Sequence, residues 1–80
     1  MKVRVLFFAQ WREVFGSLRI FEINEGSSVE QMVDLLAQES EEFASKKDSF
    51  LYAVNENFET PEKILNDQDE LAVMTPMSGG

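Results

Sequence analysis

A single convincing amphipathic helix, set between segments whose apolar residues alternate, constrains the fold of this chain more than any other feature. The apolar residues of this helix keep the i, i+3, i+4, i+7 spacing of one helical face: Val29, Met32, Val33 and Leu36. A capping box can begin the helix in either of two registers, Ser27 with Glu30 or Ser28 with Gln31. The helix is long enough to cover one face of a small sheet.

The segments with the alternation and the β-branched or aromatic content of strands are residues 2–9, 18–23, 50–55 and 71–75. A short piece of strand or turn is predicted around Phe58. Residues 10–17 are predicted to form a helical turn or a wide hairpin loop, which makes the first two strands antiparallel neighbours. The polar stretch 38–49 is expected to contain the end of the helix.

The predicted order is strand, strand, helix, strand, short element, strand, in one domain that spans residues 1–80. A right-handed crossover through the helix makes either the third strand or the last one parallel to the first. This order predicts an α+β fold of the β-grasp, ubiquitin-like kind, with a mixed sheet packed on one main helix. The residues expected in its core are Phe7, Ile20, Val33, Leu36 and Val73.

Composition excludes several classes of function. A net charge of −8 argues against binding to nucleic acid, because its phosphates would be repelled. The absence of histidine and cysteine removes the common general base, the common metal ligands, thiol nucleophiles and disulfides. No apolar run is long enough to span a membrane and no signal-peptide pattern is present, so a cytoplasmic protein is expected.

The Gly79-Gly80 ending offers a different kind of chemistry. Glycine has no side chain to hinder a reacting carboxylate or to block a narrow channel. An activating enzyme could therefore convert the carboxylate of Gly80 into an acyl adenylate and then into an amide, a thioester or a thiocarboxylate. The alternative is that the two glycines are a frayed terminus without a role.

An exposed apolar patch is expected near the base of this ending. Leu6 and Phe8 share the outward parity of the first strand, and Met74 shares it on the last. Such a patch suggests a partner surface, although a covering loop or scattered surface residues would give the same pattern. The acidic turn at 66–70 is favoured as a solvated loop over a metal site.

Three stretches of the chain resemble the small subunit of molybdopterin synthase, the sulfur carrier in molybdenum cofactor biosynthesis. The stretches are Val5-Leu6-Phe7-Phe8-Ala9-Gln10 with Arg12-Glu13, then Val54-Asn55, and finally Asp67-Gln68-Asp69-Glu70-Leu71-Ala72 with Pro76-Met77-Ser78-Gly79-Gly80. The likeness covers the whole chain. Gln68 stands where that family commonly has glycine, Thr75 where it commonly has a second proline, and Met77 where an aliphatic residue is usual.

The resemblance implies a carrier that has no catalytic side chains, no bound cofactor and no metal. An ATP-using activating enzyme would adenylate Gly80, a sulfur donor would convert it to a thiocarboxylate, and the flexible tail would enter the large synthase subunit. The sulfur would then pass to cyclic pyranopterin monophosphate to build the molybdopterin dithiolene. The tail would comprise Pro76, Met77, Ser78, Gly79 and Gly80, and the partner interface would comprise Leu6, Phe8, Met74, Arg12, Asp69 and Glu70.

Two other functions remain open from the residues alone. One is a sulfur carrier for another pathway, such as thiamine-thiazole synthesis. The other is a ubiquitin-like modifier joined to lysines, or a binding module with an inert tail.

Overall fold

A computed structural model describes residues 1–76 of the chain. The elements in chain order are β1 (Lys2–Phe7), α1 (Trp11–Phe15), β2 (Leu18–Glu22), α2 (Val29–Ala37), α3 (Glu41–Lys46), a 3₁₀ turn (Lys47–Ser49), β3 (Leu51–Val54), β4 (Asn57–Glu59) and β5 (Glu70–Met74). No helix within this part of the chain is long and apolar enough to cross a membrane.

The strands form one mixed sheet in the order β2-β1-β5-β3-β4. β1 pairs in parallel with β5, and the pairs β1–β2, β3–β5 and β3–β4 are antiparallel. The parallel partner of the first strand is therefore the last strand rather than the third. With α2 packed on one face, this is the predicted β-grasp arrangement.

The core lies between the helices and one face of the sheet. The inward residues of β1, Val3, Val5 and Phe7, are almost fully buried, as are Leu71 and Val73 of β5. On the helix side the predicted stripe of Val29, Met32, Val33 and Leu36 is buried as well. The opposite face of the sheet, called the outer face below, carries the alternate residues of each strand.

The helix α2 begins with the capping box in its second register. Ser28 Oγ accepts from the backbone N–H of Gln31 at 3.2 Å, and Gln31 Oε1 accepts from the N–H of Ser28 at 2.8 Å. Two amide groups that have no partner inside the helix are thereby satisfied.

β1 ends two residues earlier than predicted because the chain turns at Ala9. Ala9 adopts a left-handed φ of 53°, and α1 follows at once. Trp11 is completely buried, with its ring 5.1 Å from that of Phe43 and at 87° to it. Burial of this indole explains why the connector folds back as a short helix against the core.

A second helix in the polar stretch 38–49 was not predicted. α3 has one buried residue, Phe43, and Ser40 caps the helix by accepting from the Phe43 N–H at 3.2 Å. The Phe43 ring lies 4.7 Å from that of Phe50 and is tilted by 44° to it, so a single aromatic anchor holds α3 on the core.

The prediction that Ile20 belongs to the core was wrong. Ile20 pairs with Arg4 of β1, which places both side chains on the outer face, and it is 63% exposed. The other predicted core residues, Phe7, Val33, Leu36 and Val73, are buried.

Candidate functional site

The segment that leads to the predicted tail leaves the fold from a strand inside the sheet. β5 lies between β1 and β3, and it ends at Met74. Thr75 is half-buried and Pro76 is exposed. Met77, Ser78, Gly79 and Gly80, for which the tail and its chemistry were predicted, lie outside the described residues. The described part of the site therefore comprises the end of β5 and the two residues that follow it, Thr75 and Pro76.

The apolar residues predicted beside this root lie on the outer face. Leu6 is half-buried and pairs with Ala72 of β5, while Met74 is half-buried and pairs with Leu51 of β3. Phe8 continues the outward alternation one residue past β1 and is 37% exposed. Leu6, Phe8 and Met74 thus belong to adjacent strands, near the point where the chain leaves the sheet.

The apolar surface is larger than the sequence indicated. Strand pairing aligns one apolar residue from each strand into a row, which we call the outer apolar row: Leu18, Leu6, Ala72, Ala53 and Phe58. Its end members are the most exposed, with Leu18 at 48% and Phe58 at 75%. Leu51, beside Met74, is 47% exposed. These residues could have been found by combining the alternation along each strand with the register between strands. The sequence alone does not give that register.

Arg12 brings a positive charge to the edge of this surface. Its guanidinium carbon lies 5.9 Å from the centre of the Phe8 ring, and its Nε donates to the carbonyl of Phe7 at 3.4 Å. A guanidinium over an aromatic face is held there by the charge distribution of the ring. The predicted interface residues Arg12 and Phe8 are therefore in direct contact, at the end of the sheet from which the tail leaves.

Asp69, predicted as a partner contact, is instead part of the internal structure of the acidic turn. Its side chain is 8% exposed, and one oxygen accepts from the Asn55 amide at 2.8 Å. The other oxygen accepts from the backbone N–H of Asn66 at 2.7 Å. The expectation of a direct partner contact does not fit this carboxylate, because it is buried and each of its oxygens accepts a hydrogen bond within the fold.

Glu70 lies on the outer face but far from the tail. It is half-buried, and its carboxylate lies 3.8 Å from the guanidinium of Arg4. Glu70 precedes Met74 by four positions, and four positions span about 13 Å along a strand. Any partner that contacts both Glu70 and the root of the tail must cover the length of β5.

Asp67, next to the buried Asp69, is exposed and holds the start of β1. Its Oδ1 accepts from the backbone N–H of Lys2 at 2.7 Å, and this bond lowers the pKa of its carboxyl group. Among residues 1–76 no group of three side chains is arranged to hold a metal ion. The carboxylates of Asp67 and Asp69 both accept hydrogen bonds from the backbone of the fold.

Within residues 1–76 the predicted site is a surface at the root of the tail. It combines an exposed apolar face, a cation at its margin and a chain that leaves from its middle. Such an arrangement can dock a protein and deliver the following residues into that protein.

Comparison with known proteins identifies the family of the chain. The profile of the family described as "ThiS family" matches residues 5–80. The molybdopterin synthase sulfur carrier subunit of Chlamydomonas reinhardtii is 31% identical over 83 residues, covering 100% of both chains. The protein of the same name from Haemophilus influenzae is 32% identical over 80 residues, covering 98% of this chain and 99% of the other.

Solved structures share the fold. The Haloferax volcanii HVO 2177 protein has a TM-score of 0.86 at 23% identity, covering 100% of this chain and 87% of that one. SAMP1 from the same organism has a TM-score of 0.82 at 22% identity over 100% of both chains. A chain from the complex of subunits 1 and 2 of the molybdopterin-converting factor of Helicobacter pylori has a TM-score of 0.68 at 21% identity over 100% of both.

Proposed function

The chain belongs to the ThiS family, and on that premise we propose that it is the sulfur-carrier subunit of a molybdopterin synthase. The observation that carries the proposal is its full-length likeness to curated sulfur carrier subunits of that synthase, at 31% and 32% identity. The Gly79-Gly80 ending supplies the matching chemistry. We place the protein in the cytoplasm.

The first step is activation of the Gly80 carboxylate. A partner enzyme transfers the adenylyl group of ATP to the carboxylate oxygen and releases pyrophosphate. The terminal sulfur of a persulfide donor then attacks the acyl carbon and AMP leaves. A second thiol attacks the donor's own sulfur in the resulting acyl disulfide, which converts the donor to a disulfide and leaves the terminus as a thiocarboxylate. ATP belongs to the partner enzyme, because the carrier contributes the acyl group and no cofactor.

The second step is delivery of the sulfur. The large subunit receives the tail and the pyranopterin phosphate, and the thiocarboxylate sulfur attacks a pyranopterin carbon and displaces its oxygen substituent, which leaves a thioester between Gly80 and the pterin. Hydrolysis of the resulting acyl linkage returns the Gly80 carboxylate. A dithiolene contains two sulfur atoms and each loaded chain brings one, so two loaded chains are consumed for each product.

The role of this chain's own residues in the cycle is to present the carboxylate of Gly80 to the two partner enzymes. Pro76 has a restricted φ and no N–H, and it is exposed where the chain leaves β5, so it cannot extend the hydrogen-bonded ladder of the sheet. Gly79 and Gly80 are narrow enough to enter a buried site. The catalytic acids and bases belong to the large subunit, since this chain has neither histidine nor cysteine.

The large subunit docks on the outer face beside the tail. Leu6, Phe8, Met74 and Leu51 supply the apolar contact, and Arg12 supplies a charge at its margin. Methionine suits a surface that must serve both the activating enzyme and the large subunit, because its side chain adapts to different partners.

The test reconstitutes the cycle from purified parts. The chain is incubated with an activating enzyme, ATP and a sulfur donor, and its intact mass should rise by the exchange of one oxygen for sulfur. The loaded chain is then given to the large subunit with the pyranopterin precursor, and molybdopterin should form at half the amount of sulfur consumed.

Two outcomes would overturn the proposal. A chain that loads but supplies only thiazole synthesis would be the carrier of that other pathway, an alternative that the family description keeps open. A chain that does not load, or that becomes joined to lysines of other proteins, would be an inert module or a modifier.

A further inference from the structure

β2 forms one edge of the sheet and presents a regular set of backbone groups to the outside. Met1 and Ile23 exchange two hydrogen bonds of 2.9 Å, and the Phe7 N–H donates to the Ser17 carbonyl at 3.0 Å. In an antiparallel pair the residues that bond to the neighbour alternate with those that do not. The N–H and C=O groups of Leu18, Ile20 and Glu22 therefore point away from β1.

This edge lacks the usual protection against pairing. Natural edge strands are often very short, bulged, or marked by proline or lysine. β2 has five residues in one-to-one register with β1 and contains neither proline nor lysine, and its one charge on the helix side, Arg19, is paired with Glu39 at 2.8 Å. The opposite edge, β4, is only three residues long and is closely followed by Pro61. Of the two edges, β2 is the one built to accept another strand.

Exposed apolar side chains flank the β2 edge on both layers of the fold. On the outer face Leu18 is 48% and Ile20 is 63% exposed. On the helix side Leu35 is 44% exposed and borders a groove lined also by Glu22 and Ile23. An added strand would cover apolar surface on both sides as well as satisfying the open backbone groups.

We propose that the occupant of this edge is a second copy of the chain, paired antiparallel through β2 with Ile20 on the two-fold axis. Ile20 would face its own counterpart, and Leu18 would face Glu22 of the other copy. Because those residues have outward backbone groups, the pairing would form six hydrogen bonds. The result is a continuous ten-stranded sheet with the four exposed Leu18 and Ile20 side chains at its centre.

The charges of β2 favour this antiparallel register. It places Glu22 of each copy opposite Leu18, so the two Glu22 carboxylates stand at opposite ends of the strand pair. Arg19 falls opposite Phe21 of the other copy, a contact that its guanidinium already makes within one copy at 4.6 Å. Like charges directly opposite one another would destabilise a strand pair, and this register avoids them.

The dimer is independent of the proposed sulfur chemistry. β5 and the root of the tail are separated from the β2 edge by β1, so Phe8, Met74 and Pro76 stay accessible in both copies. Each copy carries a net charge of −8, which opposes association through long-range repulsion. The dimer should therefore strengthen when salt screens the charges.

Sedimentation velocity over a concentration series of the full chain, up to about 1 mM, tests the association. The chain should form dimers that are more abundant at high salt than at low salt. Ile20→Lys should raise the dimer dissociation constant about tenfold or more, because it sets two lysines opposite each other on the axis. Leu51→Lys, the same substitution at a 47% exposed residue of the same face, should leave the dimer intact. Circular dichroism checks that both variants fold.

A disulfide test reports the geometry directly. The chain has no cysteine, so Ile20→Cys introduces a single thiol. Hydrogen-bonded residues of antiparallel strands have Cα atoms about 5.5 Å apart, within the range that a disulfide spans. Diamide, which is reduced as it takes up the two thiol hydrogens, should link Ile20→Cys into covalent dimers much faster than Phe58→Cys.

The proposal is overturned if the chain stays monomeric throughout the concentration series at high salt. It is also overturned if Leu51→Lys abolishes the dimer while Ile20→Lys does not. That result would place the contact around β3 and β5 instead of at the β2 edge. Equal cross-linking rates for the two cysteine variants would exclude Ile20 from the axis.

Discussion

The side-chain amide of Asn55 donates a 2.8 Å hydrogen bond to the buried carboxylate of Asp69, joining the turn before β4 to the turn before β5. The link is reciprocal, since Asn55 Oδ1 accepts from the Glu70 N–H at 3.0 Å and the Asn55 N–H donates to the Glu70 carbonyl at 2.9 Å. β5, which carries the tail, is thereby fixed at the end opposite to the tail. The fold holds the strand firmly where it enters the sheet.

Asp69→Ala should destabilise the fold by about 1–3 kcal/mol, because it removes the acceptor of two partly buried hydrogen bonds, from the Asn66 N–H and from the Asn55 amide. Asp67→Ala is the matched control. Asp67 is exposed and water can replace its bond to Lys2, so the loss should be smaller. Urea denaturation of both variants measures the difference. Equal losses of unfolding free energy in the two variants would show that the burial of Asp69 adds nothing to the stability of the fold.

Gln68→Gly should stabilise the protein by about 0.5–1 kcal/mol. Gln68 has a left-handed φ of 71°, a conformation that costs a residue with a Cβ and costs glycine nothing. Gln68→Ala keeps the Cβ and should bring no gain. Thermal unfolding of the three proteins makes the comparison, and a gain in the alanine variant equal to that in the glycine variant would refute strain at this position.

Tyr52 should ionise with a pKa of about 12 rather than the usual value near 10. Burial is the largest cause of the raised pKa, and the negative charges of Asp48, Asp34 and Glu30 raise it further. It is the sole tyrosine, so the tyrosinate absorbance of the folded protein reports one group. A midpoint near 10 in protein that is still folded would contradict the burial of this hydroxyl.

The same shift predicts how stability depends on alkaline pH. The folded state holds the Tyr52 proton more tightly than the unfolded state, so this contribution is complete below about pH 10 and is lost as pH rises toward about 12. Tyr52→Phe should lose less stability across that window than the parent protein. Denaturation at several pH values tests the difference.

Phe8→Asp should weaken binding to the large subunit at least about tenfold while the monomer stays folded, because it puts a charge into the apolar contact beside the tail. Ile64→Asp is the matched control, since Ile64 is 50% exposed and bridges to Ser28 at the start of α2, away from Phe8 and the root of the tail. Titration calorimetry with the large subunit compares the two variants. Equal affinities would remove Phe8 from the interface.

Much of the fold could be predicted because the strongest patterns are local. The alternation of β1, the apolar stripe of α2 and the serine capping box each follow from neighbouring residues. The face chosen by Ile20 could not, because β2 has apolar residues on both faces and its pairing with Arg4 decides which face is covered. α3 was missed since Phe43 is its one buried residue, too little for a periodic pattern.

The residues of the candidate site also divide into those that a local pattern predicts and those that depend on contacts between distant parts of the chain. Leu6, Phe8 and Met74 could be placed on one face from parity once β1 and β5 were taken as neighbours. Leu18, Leu51 and Phe58 required the register across all the strands. The burial of Asp69 could not be read from an acidic turn, because it depends on Asn55, which is fourteen residues away in the chain.

The central claim is that the reacting group of this protein is the carbonyl of Gly80, and the position of the sulfur in the loaded chain tests it most directly. Fragmentation of the intact loaded protein in a mass spectrometer should place the added sulfur on Gly80 alone, and Gly80→Ala should fold normally but load and transfer poorly. Sulfur found on any other residue, or undiminished product formation by Gly80→Ala, would contradict the account.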